Sequence, residues 1–391
     1  MSLPFTAEES EILTTVARFI QKEVRPAVAK HERDKTYPDQ LVEQMKELGL
    51  FGIAVPEQYG GLGLRLPVMA AVMEELAKGW TSIAAYVNSH STVVHVITSH
   101  GTEEQKATYL PKLASGEIRA ALCLTEAEAG SDLQSIKSTA IKSSDCYNLK
   151  GNKIYVTNGA KADLLLVLAR TNPKTEKPSK GISLFLVHKD WKAVQVASTF
   201  HKMGFDLVDT VEIDFDGVSV PASALVGAKE GEGFAQLMGA LETGRIAIAA
   251  SAVGLAADAL GAAMRFAEVR KTFGKAINQH QAIQLRLAEM ATKLVAARQI
   301  TRFAAEEKER SGRADMVSAM AKLFASEVCA DIAKEAIRVL GGHGYITEYQ
   351  VERLMREAML YLVGEGTNDI QKLVIARRMM DSGDNSVLGV P

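Results

Sequence analysis

Four stretches of this 391-residue chain carry residue types that suit chemistry on a bound ligand. Residues 122–132 (LCLTEAEAGSD) set the hydroxyls of Thr125 and Ser131 among small residues, where backbone N–H groups can approach a polar ligand. Standing alone, that stretch reads equally well as a capped turn leaving a strand. Residues 153–161 (KIYVTNGAK) place Tyr155 and Thr157 two apart, on one side of a strand because side chains alternate. A flat ring could lie beside the aromatic and be hydrogen-bonded by the threonine. Residues 270–275 (RKTFGK) close a long helical pattern, and there a guanidinium with a hydroxyl suits a diphosphate. A lone basic cluster at that place is otherwise a solvated helix end. Residues 338–371 contain Gly341-Gly-His-Gly-Tyr345 and Gly364-Glu-Gly-Thr367, and such glycines allow close backbone approach to a ligand or a neighbouring chain. Glu365 sits between two of them, just ahead of a helical segment.

The elements that must hold these stretches fall into three blocks. Residues 1–119 read as helices: Thr6 and Glu9 form a capping box, Ile12, Val16, Phe19 and Ile20 share a helix face, and periodicity resumes near Leu66 after the turn-rich residues 56–63. Across 120–229 the period falls to two. Val211, Ile213 and Phe215 alternate with polar residues, Asp216-Gly217 predicts a hairpin turn, and Leu164 and Ile182 open apolar runs on either side of a solvated loop at 171–180. This middle block is predicted to be an antiparallel barrel or sandwich. Across 230–391 helical stripes return: Val253, Ala256, Leu260, Met264 and Ala267; Ile283, Leu287, Met290, Leu294 and Ala297; Val317, Met320, Phe324 and Val328. They predict a four-helix bundle with those stripes as its core. The fold class is multidomain α+β.

Composition excludes several functions. With 47% apolar residues the chain can bury large cores, and a formal charge of −2 with no basic stripe argues against nucleic acid. Cys123, Cys146 and Cys329 have no metal or disulfide spacing and read as buried thiols. His280 and His343 lack paired ligand spacing, so no metal is expected. No secretory leader pattern and no run of about eighteen apolar residues is seen. The expected location is cytoplasmic, or the mitochondrial matrix after removal of a presequence, and no membrane partner is expected.

The four stretches, in this order and at these spacings, resemble the acyl-CoA dehydrogenase family over nearly the whole chain. LTEAEAGSD resembles its first signature, GGHGY through GEGTNDIQ its second, and KTFGK with His280-Gln281 its FAD-contacting stretch between subunits. The resemblance implies FAD as cofactor and Glu365 as the catalytic base that removes the α-proton of an acyl-CoA thioester. FAD takes a hydride from the β-carbon, the product is the trans-2-enoyl-CoA, and electrons pass to an electron-transfer flavoprotein. It assigns Leu122, Leu124, Thr125, Gly130 and Ser131 to FAD, with Tyr155 and Thr157 near the ring. Arg270, Thr272, Phe273, Gln281, Arg338, Gly341 and Gly342 match contacts across a subunit interface, and Thr367 and Asp369 lie near the dinucleotide. Ser131, Glu242, Arg245 and Gly366 match contacts to the CoA ester. A homotetramer built as a dimer of dimers is implied as well.

Some positions depart from the family pattern. The flavin-side aromatic is Tyr155 instead of Trp or Phe, Arg338 replaces a glutamine, Gln350 replaces a proline, and Gly364 replaces the tyrosine before the catalytic glutamate. The family's alternative base position falls on Gly244, which leaves Glu365 as the base. Gly244 and Gly364 together imply extra volume and hence a branched or bulky acyl group. Residues 82–94 lack the arginine of dicarboxylyl-CoA enzymes, which argues against a glutaryl-type substrate. An acyl-CoA oxidase of the same fold, or a non-catalytic member acting as a binding or scaffold protein, stands as the alternative.

Overall fold

The computed structural model describes residues 5–381; residues 1–4 and 382–391, the outer ends of the first and third expected blocks, lie outside the described residues. Helix α1 (Ala7–Phe19) begins at the capping box: Thr6 Oγ1 accepts from the Glu9 N–H at 3.2 Å, and the Glu9 carboxylate accepts from the Thr6 N–H at 2.8 Å. A π-helical turn (Ile20–Val24) carries it into α2 (Arg25–Asp34), followed by α3 (Asp39–Glu47). The turn-rich loop then leads to α4 (Leu66–Gly79), α5 (Thr81–His100) and α6 (Glu103–Ser115). Trp80, wholly buried between α4 and α5, donates its indole N–H to Glu32 at 2.8 Å. This satisfies the one polar atom of the ring inside the core.

Strands β1 (Ala120–Cys123), β2 (Thr139–Ser143), β3 (Cys146–Thr157), β4 (Leu164–Arg170), β5 (Ile182–His188), β6 (Val194–Thr199) and β7 (Thr210–Pro221) form one sheet. Its order is β1-β4-β2-β3-β7-β6, with β5 also paired to β4. Pairing is mainly antiparallel, as alternation suggested, but β1 runs parallel to β4, and β2 meets β4 in parallel at a single register position. Two local expectations are corrected. Asp216-Gly217 makes no hairpin: β7 runs straight through it, paired to β3 on both sides. Gly217 absorbs one extra residue at φ 76° where the register steps between Leu149 and Lys150. A second irregularity, between Lys153 and Val156, puts Tyr155 at φ 57°, so strict alternation does not relate Tyr155 to Thr157.

The third block opens with α7 (Gly233–Val269), a 37-residue helix. By length and composition it could cross a membrane, but two-thirds of its most apolar window is buried inside the protein. Its small residues allow close packing: a Cβ on Gly254 would lie 2.2 Å from the carbonyl oxygen of Glu74 in α4. The hairpin β8 (Lys271–Thr272) and β9 (Lys275–Ala276) joins it to α8 (Gln281–Ser311). Helices α9 (Asp315–Leu340), α10 (Val351–Val363) and α11 (Asn368–Asp381) complete the chain, with α9 against α7, α8, α10 and α11. Most stripe residues are core, but Met264 and Phe324 are 47% and 39% exposed because no other element among the described residues covers their flank. Cys123 and Cys329 are fully buried, while Cys146, at the first position of β3, is half-buried.

Candidate active site

Glu365 occupies the turn between α10 and α11 at φ 54°, a left-handed conformation that costs a residue bearing a Cβ. Gly366 beside it has φ 85°. The turn is pinned from below by side chains that sequence reasoning did not single out. Lys322 of α9, wholly buried, donates to the carbonyl of Gly366 at 2.9 Å and to Asn368 Oδ1 at 2.8 Å. Gln371, also wholly buried, donates to the same carbonyl at 3.0 Å. Ser326 donates to Asn368 Oδ1 at 3.1 Å.

The Glu365 carboxylate is turned inward. Asn88 of α5 donates its Nδ2 to Oε1 at 3.4 Å, and a Cβ on Gly244 of α7 would lie 3.3 Å from Oε2. Any side chain at 244 would therefore crowd the carboxylate. Burial raises the Glu365 pKa, opposed by the charges of Arg245 and Lys322 and by the Asn88 hydrogen bond. Burial is the largest of these influences and leaves the carboxyl above its ordinary value. Arg245 is held below its usual range, and Lys322 is brought down to about 8.

Beside the carboxylate lies a narrow slot of about 20 Å³, roughly the room one water molecule needs. Its far wall is apolar, from Ile53, Leu66, Met69, Ala70 and Met73. Its near wall is α5 with Asn88, Ser91 and Thr92, and α7 closes it with Thr243 and Gly244. At the other side of α7, Glu242 is bound to Lys308 at 2.8 Å and accepts from the Ala314 N–H at 2.9 Å. Its carboxylate thus ties α7 to α8 and to the start of α9.

The second group of expected residues forms around β1. Leu122 belongs to the strand; Leu124, Thr125, Gly130 and Ser131 follow it. This loop is clamped to β3: the Ile154 N–H donates to the Thr125 carbonyl at 2.9 Å, and Lys153 donates to the Leu124 carbonyl at 3.0 Å. Lys153, with no exposed side chain, also bonds Glu126 at 2.7 Å, and Glu126 accepts from the N–H groups of Lys137 and Ser138. This buried pair was missed, although both residues lie inside the singled-out stretches. Tyr155 is 61% exposed with its ring 5.1 Å from that of Phe200. At the end of β3, Asn158 donates to the Ala85 carbonyl at 3.1 Å, which links this group through α5 to Asn88 and Glu365.

The third group stands apart in a single chain. Arg270, Thr272, Phe273, Gly341 and Gly342 line an open cleft of about 380 Å³. A Cβ at either glycine would meet nothing within 4 Å, and Phe273 is 97% exposed. Thr272 shares a hydrogen bond of 3.2 Å with His280. Gln281 opens α8 next to it, and Arg338 pairs with Glu335 at 2.8 Å. Thr367 caps α11 by accepting from the Ile370 N–H at 3.2 Å, and Asp369 is exposed beside Lys372.

The chain as a whole is similar to known proteins. Sequence models of the acyl-CoA dehydrogenase N-terminal, middle and C-terminal domains match residues 6–117, 121–218 and 231–380. An acyl-CoA dehydrogenase of Bacillus subtilis (strain 168) is 39% identical over 96% of this chain and 98% of its own. A mitochondrial isobutyryl-CoA dehydrogenase of Dictyostelium discoideum is 35% identical over 97% of this chain and 90% of its own. The structure of butyryl-CoA dehydrogenase from Megasphaera elsdenii superposes with a TM-score of 0.94 at 33% identity, covering 97% of this chain and all of that one. The chain belongs to the acyl-CoA dehydrogenase family. It is accordingly an FAD-dependent oxidoreductase.

The residues present fit a dinucleotide. The open backbone at Gly341 and Gly342, with Arg270 and Thr272 on the same cleft, suits its charged portion. The loop after β1, with only a Thr125 methyl within 4 Å of a Cβ built on Gly130, suits close approach of a flat ring system.

Proposed function

We propose that this protein oxidises an acyl-CoA thioester between its α- and β-carbons, with Glu365 as the base. The observation that carries the reading is the inward-turned Glu365 carboxylate, held against Asn88 and Gly244 of the slot lining and admitted there by the missing side chain of Gly244. A thioester α-proton is weakly acidic, so the base must be close, dry and not too acidic itself. Burial supplies the last two conditions, while Arg245 and Lys322 oppose full protonation. Lys322 and Gln371 hold the Gly366 carbonyl and so keep the carboxylate aimed. When bound, FAD supplies the acceptor for the β-hydrogen and its electron pair. Leu122, Leu124, Thr125, Gly130, Ser131, Tyr155, Thr157, Thr367 and Asp369 would hold it within one protomer. Arg270, Thr272, Phe273, Gln281, Arg338, Gly341 and Gly342 would hold the end of a partner's, which makes a dimer the least functional unit and a tetramer its pairing. Ser131, Glu242, Arg245 and Gly366 would contact the CoA ester, with Glu242 acting through the α7–α8 joint.

Met69, Ala70 and Met73 give the slot an apolar wall, and neither Gly244 nor Gly364 adds a side chain, so the acyl group is read as branched or bulky. Electrons are read as leaving to an electron-transfer flavoprotein. Turnover with that flavoprotein or a dye, across isobutyryl-, 2-methylbutyryl-, isovaleryl-, benzylic, butyryl- and hexanoyl-CoA, tests both readings. A branched or aryl ester should have the highest kcat/KM. Straight butyryl- or hexanoyl-CoA ahead of all the others would sink the branched reading, and fast reduction of oxygen alone would replace the acceptor.

A further inference from the structure

The slot has two chemically unlike walls, and this inference rests on the dehydrogenase reading of it. Met69, Ala70 and Met73 of α4 offer only methyl, methylene and thioether groups. Across from them Asn88 and Ser91, one helical turn apart on α5, present polar atoms. The Asn88 amide has its orientation set by Glu365: Nδ2 faces the carboxylate, since the reverse would set oxygen against oxygen. Its Oδ1 is thereby left buried without a hydrogen-bond partner, on a residue only 8% exposed. The Ser91 hydroxyl is likewise buried and unpartnered, whereas the neighbouring Thr92 hydroxyl is satisfied by the Asn88 carbonyl at 3.1 Å. Two orphaned polar atoms thus belong to side chains that line the slot, and buried polar atoms left unpaired are costly.

We propose that the slot selects an acyl group carrying a neutral O–H or N–H donor, held by Asn88 Oδ1 and Ser91 Oγ while its hydrocarbon lies on the α4 wall. A carboxylate does not fit this wall. It would face an amide oxygen of like polarity, and among the described residues no cationic side chain lines the slot. A cationic substituent does not fit either, because it would be drawn to Glu365 and neutralise the base. The donor takes no part in bond breaking; it decides which acyl group is bound in a reactive pose. A site built to bond a hydroxyl discriminates strongly against an analogue lacking it, since its own polar atoms are then left unpaired.

The test compares kcat/KM for matched esters in the holoenzyme: 4-hydroxybutyryl- against valeryl-CoA and 5-hydroxyvaleryl- against hexanoyl-CoA, with succinyl-CoA as the charged control. The wild type should favour the hydroxy ester of at least one pair by tenfold or more. Ser91→Ala should cut that ratio at least fivefold, and Asn88→Val should bring it to one or below. Reading a ratio cancels any general loss from removing the Asn88 contact with Glu365. A wild-type ratio at or below one for both pairs, a ratio unmoved in both variants, or succinyl-CoA as the best ester would overturn the proposal. Turnover of valeryl- or hexanoyl-CoA separates the two readings. If these esters react but the ratios are flat, only the donor site fails; if no ester reduces the flavin, the dehydrogenase reading fails with it.

Discussion

Replacing Lys322 by methionine should change both how stability depends on pH and how well the base is aimed. The side chain is wholly buried, and burial lowers its pKa from 10.5 to about 8. Below pH 8 it is charged in both the folded and the unfolded chain, and folding bears the full cost of burying that charge. Between about 8 and 10.5 it is neutral when folded but still protonated when unfolded. The unfolded state then binds more protons, so this residue makes stability rise with pH across the window. A separation of that size corresponds to about 3 kcal/mol over the whole window. Methionine removes the slope and the charge cost, but takes one of two hydrogen bonds from each of the Gly366 carbonyl and Asn368 Oδ1, at about 1.5–3 kcal/mol each for bonds to a charged donor. The two effects nearly offset, so stability at pH 7 should change by no more than about 2 kcal/mol. Turnover should fall by about tenfold to a hundredfold as the Glu365 turn loosens. Urea unfolding at several pH values from 7 to 10.5 measures the slope, and subtracting variant from wild type cancels the tyrosines and cysteines that titrate nearby. Parallel stability curves for the two proteins, or full turnover in Lys322→Met, would refute the reasoning.

Gly244→Ala should lower kcat with little loss of stability, because the new methyl would press on Glu365 Oε2 at 3.3 Å and Thr92 Oγ1 at 3.6 Å, both of which can give slightly. Steady-state kinetics with thermal melts check it, and an unchanged kcat would show that the carboxylate does not sit where this account needs it. Lys153→Met leaves Glu126 buried without its cation and should cost about 3–5 kcal/mol in urea unfolding. The same variant should retain less FAD on purification, because Lys153 also holds the Leu124 carbonyl; full flavin content would detach the pair from the cofactor loop.

The parts of the fold that were legible in the sequence are those written in short-range signals. The Thr6–Glu9 box capped α1 as expected, and the stripe through Met290, Leu294 and Ala297 turned inward. Expectations failed where a local signal was overruled by a distant strand. Asp216-Gly217 looks like a hairpin turn until β3 is seen pairing with both halves of β7, and the parallel β1–β4 pairing has no local signature at all. At the site, Glu365 was found through resemblance, because a carboxylate between glycines carries little information alone. Lys322 was passed over since a lysine near Phe324 and Val328 reads as a solvated face. Its neighbours at Ala319, Ala325 and Cys329 are all buried, and together they were the available hint. Asn88 sits in a polar-looking stretch, and nothing in sequence says that one edge of its amide meets a carboxylate contributed from the far end of the chain.

The most direct test of the central claim is the visible spectrum of the FAD-loaded protein, mixed anaerobically with branched, straight and hydroxylated acyl-CoA esters, in the wild type and in Glu365→Gln. The account expects the flavin absorbance of the wild type to bleach with at least one ester. The variant should keep its flavin and bind the same ester, yet bleach at least ten-thousandfold more slowly. Equal bleaching in both proteins would show that another group removes the proton, and would contradict the role assigned to Glu365.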